Sequence, residues 1–341
     1  MRRGYARFLG RRLSAAVLLA LGATLVAFLL VQVVPADPVT ANLSDQALGD
    51  PSAIAAFRKT WGLDQPLPVQ YWDYLKNLTH GNLGTSEQTH RPVLHDLEQF
   101  VPATFELAIP AMLLATIVGV ALGTFAAVRR GKPSDQGVRV VSLLGLSTPP
   151  FWLAIVALYL FFFKLGWFPS GDRLSPIDIP PPKTTGLYTL DAMLHGQWSI
   201  ARDAARHLVL PVCVLAAYIV GLLTRFTRSA VLEVLENDYV RTAHAKGLPA
   251  RVVLFRHTLR AALVPVITVS GLAFGSLLSG TVLVESIFSW PGVGQYAYHS
   301  AVSLDLRAIM GVSLFVAIVY VVVNLIVDVL YGIIDPRIRV T

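Results

Sequence analysis

Charge is what this 341-residue chain has least of: 14% of its residues are Asp, Glu, Lys or Arg, against about a quarter in a soluble domain. So few charges cannot solvate a water-facing surface. With 54% hydrophobic residues, the chain needs lipid over much of itself. Cysteine is nearly absent. Cys213 stands alone inside an apolar run, which excludes an intramolecular disulfide and any metal site built on several thiolates. No Gly-x4-Gly-Lys-Ser/Thr phosphate loop occurs, so the usual backbone cradle for ATP is missing. Ser/His/Asp and Cys/His nucleophile signatures are missing too, and the chain is not read as an enzyme. His80, His90 and His95 do not share a helix face and have no matching carboxylates, so they predict no metal site. Tandem repeats and low-complexity tracts are also lacking.

What the chain has in quantity is apolar length. A spanning helix takes about 20 mostly apolar residues, and six stretches qualify: 13–34, 101–128, 140–163, 208–224, 263–284 and 308–334. Arg2, Arg3, Arg7, Arg11 and Arg12 before the first run imitate a secretory signal. The run is longer than a signal core, however, and no clear small-x-small cleavage site precedes Pro35, so it is read as a retained helix. The predicted fold is all-α and polytopic, with six transmembrane helices.

The formal net charge is +7, and its distribution sets the topology. Basic residues crowd into the N-terminal arm, into Arg129, Arg130, Lys132 and Arg139, into Arg225, Arg228, Arg241, Lys246, Arg251, Arg256 and Arg260, and into Arg337 and Arg339. The alternate loops are longer and carry fewer. By the positive-inside rule both termini are predicted in the cytoplasm. No basic patch is interleaved with aromatics in the manner of a single-strand binder, so nucleic acid is not an expected partner. The predicted organisation is an N-terminal arm and first helix (1–34), an extracytoplasmic segment (35–100), a five-helix core (101–334) and a cytoplasmic tail (335–341). The first outer segment contains Trp61, Tyr71, Trp72 and Tyr74, suited to a folded cap at headgroup level. The outer loop 164–206, with Pro180, Pro181 and Pro182, reads either as an ordered excursion or as a loose loop.

The inner loop 225–262 holds the most informative stretch, residues 237–249. Asn237 or Asp238 is a good N-cap, and residues 239–246 suit a two-turn helix. Gly247 can take the left-handed conformation that ends a helix, and Pro249 fits the first turn of the next, at about 249–261. The predicted object is a helix, a sharp turn and a helix. Small residues (Ala243, Ala245, Gly247) permit close approach of another backbone, and Arg241 and Lys246 could fix register across an interface. Spacing alone fits a docking element and an ordinary solvated loop equally well.

Asp238-Tyr239-Val240-Arg241-Thr242-Ala243-His244-Ala245-Lys246-Gly247 resembles the cytoplasmic EAA loop of ABC-importer permeases. It has the form found in the dipeptide/oligopeptide/nickel branch, where Arg-Thr-Ala replaces Glu-Ala-Ala. Leu83-Gly84-Thr85-Ser86 with Pro92-Val93, Pro102 to Ala108, Ser147 to Trp152, Val284 to Gly294 and Asp328 to Arg339 resemble the same branch, so the likeness covers nearly the whole chain. The resemblance implies the type I, MetI-like permease fold in a bacterial inner membrane. It also implies a homologous second permease, two cytoplasmic ATPases that hold ATP and Mg, and an extracytoplasmic solute-binding protein. This chain itself would bind no cofactor. Asp238, Tyr239, Arg241, Thr242, Ala243, Lys246 and Gly247 are the implied ATPase-coupling residues. The solute would be a di- or oligopeptide, a nickel chelate, glutathione or another small solute.

Breaks in a membrane helix can line a pathway, and Pro149-Pro150 interrupts the third run while Pro211 lies early in the fourth. Ser147, Pro149, Ser270, Gly275, Ser276 and Asn324 are the candidate pathway residues. Gly119 and Gly123, like Gly271, Gly275 and Ser279 beside Ser276 and Gly280, suit close helix packing. Asp328 and Glu106 are acids near the ends of spans. A secondary transporter driven by an ion gradient would need ionisable pairs at mid-membrane, and no convincing pair is present. A membrane enzyme or scaffold would have to be complete without any ATPase.

Overall fold

The structure is a computed structural model. It describes residue 14 and residues 17–29, 39–40 and 43–334. Every regular element among these is helical, and the single extended pairing is an isolated antiparallel bridge between Thr85 and Pro92. In chain order the helices are α1 (Val17–Leu29), α2 (Asp45–Leu48), α3 (Pro51–Trp61), α4 (Leu67–Thr79), α5 (Val93–Val128) and α6 (Pro133–Ser147). Next comes α7 (Pro150–Ala157), which runs on into a π turn (Leu158–Lys164), then α8 (Tyr188–Leu194), α9 (Trp198–Leu235) and α10 (Asp238–Ala245). A short α11 (Ala250–Val252) passes through a second π turn (Val253–Thr258) into α12 (Leu259–Ile287), followed by α13 (Val293–Val302) and α14 (Leu306–Ile334).

Four of these helices are long and apolar enough to cross a membrane: α5, α9, the run from α11 into α12, and α14. A fifth crossing is possible if α6 and α7 count as one span. The remainder of the predicted first span, the arginine-rich arm and the tail 335–341 lie outside the described residues. The third run is not a straight helix over 140–163. Pro149 and Pro150 supply no backbone N–H, and a proline ring disfavours helical geometry in the residue before it. Thr148 accordingly turns extended, with φ −84° and ψ 121°, and the two halves meet at 100°. The fourth helix is much longer than the apolar run 208–224, reaching 38 residues. A hydropathy window registers only its apolar middle and misses ends that carry Arg202, Arg206, Arg225 and Arg228.

The chain divides into two compact units. One comprises the described parts of 1–101 together with 292–321. In this unit the aromatic residues of the first outer segment part ways. Tyr74 is buried with Ala27, Phe28, Leu306 and Met310, and Tyr71 packs against that cluster, whereas Trp72 is exposed. A second cluster joins Leu83, Val93 and Leu97 to Val293, Tyr296, Ala308 and Val312. Polar groups tie its loops together. Asp305 accepts hydrogen bonds from the Ser86 hydroxyl, the Gln88 N–H and the Ala308 N–H that opens α14. Asp96 accepts from Thr89 at 2.6 Å and from Tyr296 at 3.1 Å.

The other unit comprises 102–291 and the described part of 322–341. Its centre is α9, which packs on α6, α7, α8 and α12. Glycine permits the closest approaches. A methyl group on Gly123 would stand 2.6 Å from Thr227 Cβ and 2.7 Å from the Thr224 carbonyl. One on Gly221 would stand 2.6 Å from the Ser142 carbonyl. The predicted Gly119/Gly123 pair is thus where α5 meets α9.

Glu87, in the loop between α4 and α5, is 3% exposed. One of its carboxylate oxygens has no hydrogen-bond partner among the described residues. Burial, reinforced by the negative charge of Asp305 and opposed by Arg307, pushes its pKa from 4.5 up to about 7. A raised folded-state value means that the folded form binds the proton more tightly. The stabilisation is therefore complete below about pH 4.5 and is lost as pH rises through 7. Thermal unfolding of the protein in detergent should show this loss, of about 3 kcal/mol at most. Glu87→Gln should flatten the profile and raise the melting temperature at about pH 8; an unchanged profile in that variant would assign the dependence elsewhere.

Candidate functional site

The break at Pro149 opens a cavity of about 340 Å³. Its walls come from three elements that α9 holds together: the α6–α7 corner (Leu146 to Pro150), α9 itself (Leu215, Tyr218, Ile219) and α12 (Ala273, Ser276, Leu277). No ionisable carboxylate, amine or guanidinium is among the lining residues. The polar groups are the hydroxyls of Ser147, Thr148, Tyr218 and Ser276, set in apolar walls. Prolines 149 and 150 also leave earlier carbonyls of α6 without the N–H that a continuous helix would bring them. A polar solute here meets hydroxyls and backbone dipoles instead of a fixed charge.

Of the pathway candidates, Ser147, Pro149 and Ser276 are brought together at this cavity. Gly275, Ser270 and Asn324 do not line it. The Ser270 hydroxyl is instead buried and without a hydrogen-bond partner among the described residues. Gly271 meets Val327, where an added methyl would stand 2.3 Å from Cγ2, so Gly271 packs α12 on α14. The side chains of Ser279, Gly280 and Asp328 lie outside the described residues. Tyr218 was not legible as a wall residue. It sits in a uniformly apolar run, and its only signal is a phenol in a helix that glycine draws close to the proline break.

A second set of sequence motifs meets at the start of the second apolar run. The Trp290 indole N–H donates to the Ala103 carbonyl at 2.8 Å, and the Thr104 hydroxyl donates to Glu285 at 2.8 Å. Glu106 does more than face a helix N-terminus. It is a buried ion-pair partner of Arg173 and accepts from the Thr189 N–H at 2.7 Å. The Arg173 guanidinium also lies 3.5 Å from the centroid of the Tyr188 ring. The 164–206 loop is therefore the ordered excursion, pinned at Arg173 and closed by Asp191. That carboxylate accepts from the N–H groups of Thr184, Thr185 and Gly186.

The predicted helix, turn and helix is formed by α10 and α11. Asn237 occupies the N-cap position but makes no capping hydrogen bond; its amide donates towards the Glu233 carbonyl. The helix closes with Lys246 N–H on the Thr242 carbonyl and Leu248 N–H on that of Ala243. Gly247 has φ +78°, and a methyl group there would meet nothing within 4 Å. The backbone conformation, not crowding, demands glycine. The second helix differs from the expectation of a separate element over 249–261: through its π turn it runs directly into α12.

Only Val240 and Ala243 of α10 are buried, against Val253 with Val234 and Leu235 beside them. Ala243 therefore belongs to the inward face, because it follows Val240 by three residues on the helix. Asp238, Tyr239, Arg241, Thr242, Lys246 and Gly247 are exposed. Arg241 lies 3.4 Å from Asp238, and the Thr242 hydroxyl donates to the Asp238 carbonyl.

Membrane-length helices around a cavity lined by hydroxyls and interrupted backbone have the build of a membrane transport component. The family described as "Binding-protein-dependent transport system inner membrane component" matches residues 119–340, and its N-terminal companion, "Binding-prot-dependent transport system membrane comp, N-term", matches residues 5–108. This chain belongs to that family of inner-membrane transport components. It is 44% identical over 322 residues to the "Probable D,D-dipeptide transport system permease protein DdpB" of Escherichia coli K12, covering 94% of each chain. It is 45% identical over 333 residues to the "Di/tripeptide transport system permease protein DppB" of Pseudomonas aeruginosa UCBPP-PA14, covering 97% of this chain and 98% of the other. Identity to the "Dipeptide transport system permease protein DppB" of Alkalihalophilus pseudofirmus is 41% over 329 residues, with 96% of this chain and 98% of the other covered.

If the cavity is a water-filled wall of a pathway, its hydroxyl positions should be reachable from water. In a Cys213→Ser background, Ser147→Cys and Ser276→Cys should react with a membrane-impermeant maleimide in open, permeabilised membranes, while Ser270→Cys stays unlabelled. Mass spectrometry reads the outcome, and equal labelling at all three positions would count against this cavity.

Proposed function

We propose that this chain is a permease subunit of an ATP-driven importer that moves di- or tripeptides and related small solutes across the inner membrane. The extended likeness to permeases named for dipeptides and di/tripeptides supports this reading over nickel chelates or glutathione. Lacking a phosphate loop of its own, the chain depends on separate ATPase subunits holding ATP and Mg. A homologous second permease completes the pathway, and a binding protein delivers solute from outside. The basic loops lie in the cytoplasm with both termini, and 35–100 and 164–206 face the other side.

The observation that carries the coupling reading is the form of α10: a short helix ended at Gly247, with one face seated on Val253 and the other bare. A motor domain that grips the bare face, at Asp238, Tyr239, Arg241, Thr242 and Lys246, pushes on a body held at one end and along its inward face. One end joins α9 through Glu236 and Asn237. The inward face rests on Val253, at the root of α12. Both of those helices supply cavity walls, so displacement of α10 changes the cavity's width. The hydroxyl-lined wall suits alternating access, because binding there must be weak enough for release.

Gly247→Val tests this role. A β-branched residue is held out of the left-handed region at a cost of about 1–2 kcal/mol, which should misplace the end of α10 without disturbing the membrane helices. The complex should assemble, with peptide uptake per ATP hydrolysed in proteoliposomes reduced about tenfold. Normal uptake per ATP in that variant would reject the coupling role, and failure of any ATPase to co-purify with the chain would reject the importer itself.

A further inference from the structure

At the end of α9 nearest to α10, two ion pairs join it to the corner between α5 and α6. Arg228 holds Asp135 with two parallel hydrogen bonds, Nε to Oδ1 at 2.7 Å and one terminal nitrogen to Oδ2 at 2.8 Å. The Asp135 side chain is 1% exposed and that of Arg228 is 21% exposed. Asp135 also accepts from the Gly131 N–H at 3.0 Å and sits in the first turn of α6, where the helix dipole favours negative charge. About two turns further along, Glu236 pairs with Arg130 at 2.8 Å, and Glu236 stands between α9 and α10. That second pair is exposed and screened by solvent, so it contributes little by itself. The Arg228–Asp135 pair is different. Its fork geometry fixes direction as well as distance, and Arg228 N lies beside the contact that Gly123 makes with α9.

We propose that the Arg228–Asp135 pair is the latch through which displacement of α10 reaches the α6–α7 break; Arg228 and Asp135 are thus positioning residues for transport. The proposal rests on α10 being the ATPase-coupling helix. The route is short and continuous. The α10 helix is joined by Glu236 and Asn237 to α9. Arg228, on that end of α9, grips the first turn of α6. At its other end α6 stops at Ser147, Thr148 and Pro149, which line the cavity. Along the way α6 contacts α9 through Gly221 and Ser142, a packed contact that resists separation but carries no charge-assisted bond. Sliding of α9 along α6 is opposed by the latch, whose bidentate bonds break if the two helices shift. The latch therefore makes α6 follow α9, and turns a push at α10 into a change at the proline break.

The test uses the complete transporter in proteoliposomes, with dipeptide uptake and ATP hydrolysis measured together. Arg228→Gln should assemble with unchanged basal hydrolysis and lose about tenfold in uptake per ATP. The charge-swapped pair, Asp135→Arg with Arg228→Asp, should recover most of that loss. Uptake per ATP within about twofold of the parent in Arg228→Gln, even with a lowered melting temperature, would show a merely structural pair and overturn the proposal. A loss that the swap does not recover would overturn it also, because Arg228 would then act through some other group. If Arg228→Gln does not assemble, Arg228→Lys keeps the charge and loses the fork. An assembled Lys variant should then show the uncoupling, and normal coupling in it, or failure of both variants to assemble, overturns the latch. Gly247→Val run alongside separates the two readings. Uncoupling by Gly247→Val with normal coupling in Arg228→Gln removes the latch alone, whereas normal coupling in Gly247→Val removes the coupling helix and the latch with it.

Discussion

Helices immersed in lipid gain little from hiding apolar side chains from one another, since the solvent is as apolar as they are. What holds them is contact at short range, and in this protein that contact is organised by α9. Where Gly119 and Gly123 face Leu223 and Thr227, and where Gly145 and Gly221 face across to Ala217 and Ser142, there is no room for a methyl group. The backbones of α5 and α6 consequently touch α9 with few side chains between them. Every functional feature is placed by that contact. The cavity exists because α6 is held beside α9 up to the residue where proline stops it. The α10 helix projects because α9 continues well past its apolar middle.

Polar chemistry is concentrated where it can be satisfied. Buried carboxylates in the second unit have partners: Asp135 pairs with Arg228 and Glu106 with Arg173, Glu285 accepts from the Thr104 hydroxyl, and Asp191 accepts from backbone N–H groups. An isolated ion in such surroundings would be prohibitively expensive, and removing one member of a buried pair strands the other. The Arg228–Asp135 pair acts less as glue than as a locator, because its bidentate bond tolerates little sliding. The cavity is the opposite case. Its polar groups are hydroxyls, and no carboxylate, amine or guanidinium lines it.

Much of this was readable from the chain alone, and the parts that were not have physical reasons. Proline and glycine were informative: Pro149-Pro150 marked the break, Gly119 and Gly123 marked a helix contact, and Gly247 marked the end of α10. Each constrains the backbone locally, so its effect does not wait on tertiary structure. Length was less legible. Hydropathy found the middle of α9 but not its ends, where Arg206 donates to the Trp167 carbonyl and Arg228 to Asp135, both on other segments. Tyr218, the Glu106–Arg173 pair and the seating of Ala243 against Val253 were illegible for the same reason. Each depends on residues distant in sequence that no spacing rule connects. The association of residues 292–321 with the N-terminal unit is likewise a matter of long-range contacts, such as those of Asp305 with Ser86 and Gln88.

The 100° bend has a consequence for how the protein is made. Neither α6, with 15 residues, nor α7 with its π turn reaches the ~20 residues that a helix needs to cross the hydrocarbon layer. An insertion machine that scores helices by apolar length, one at a time, meets two half-length helices between α5 and α9 instead of one straight span. Stable insertion of α6 and α7 is then expected to await synthesis of α9, on which α6 packs through Gly221 and Gly145. Biogenesis of this chain is then cooperative across more than a hundred residues, and a lesion in α9 would surface first as a topological defect upstream of itself.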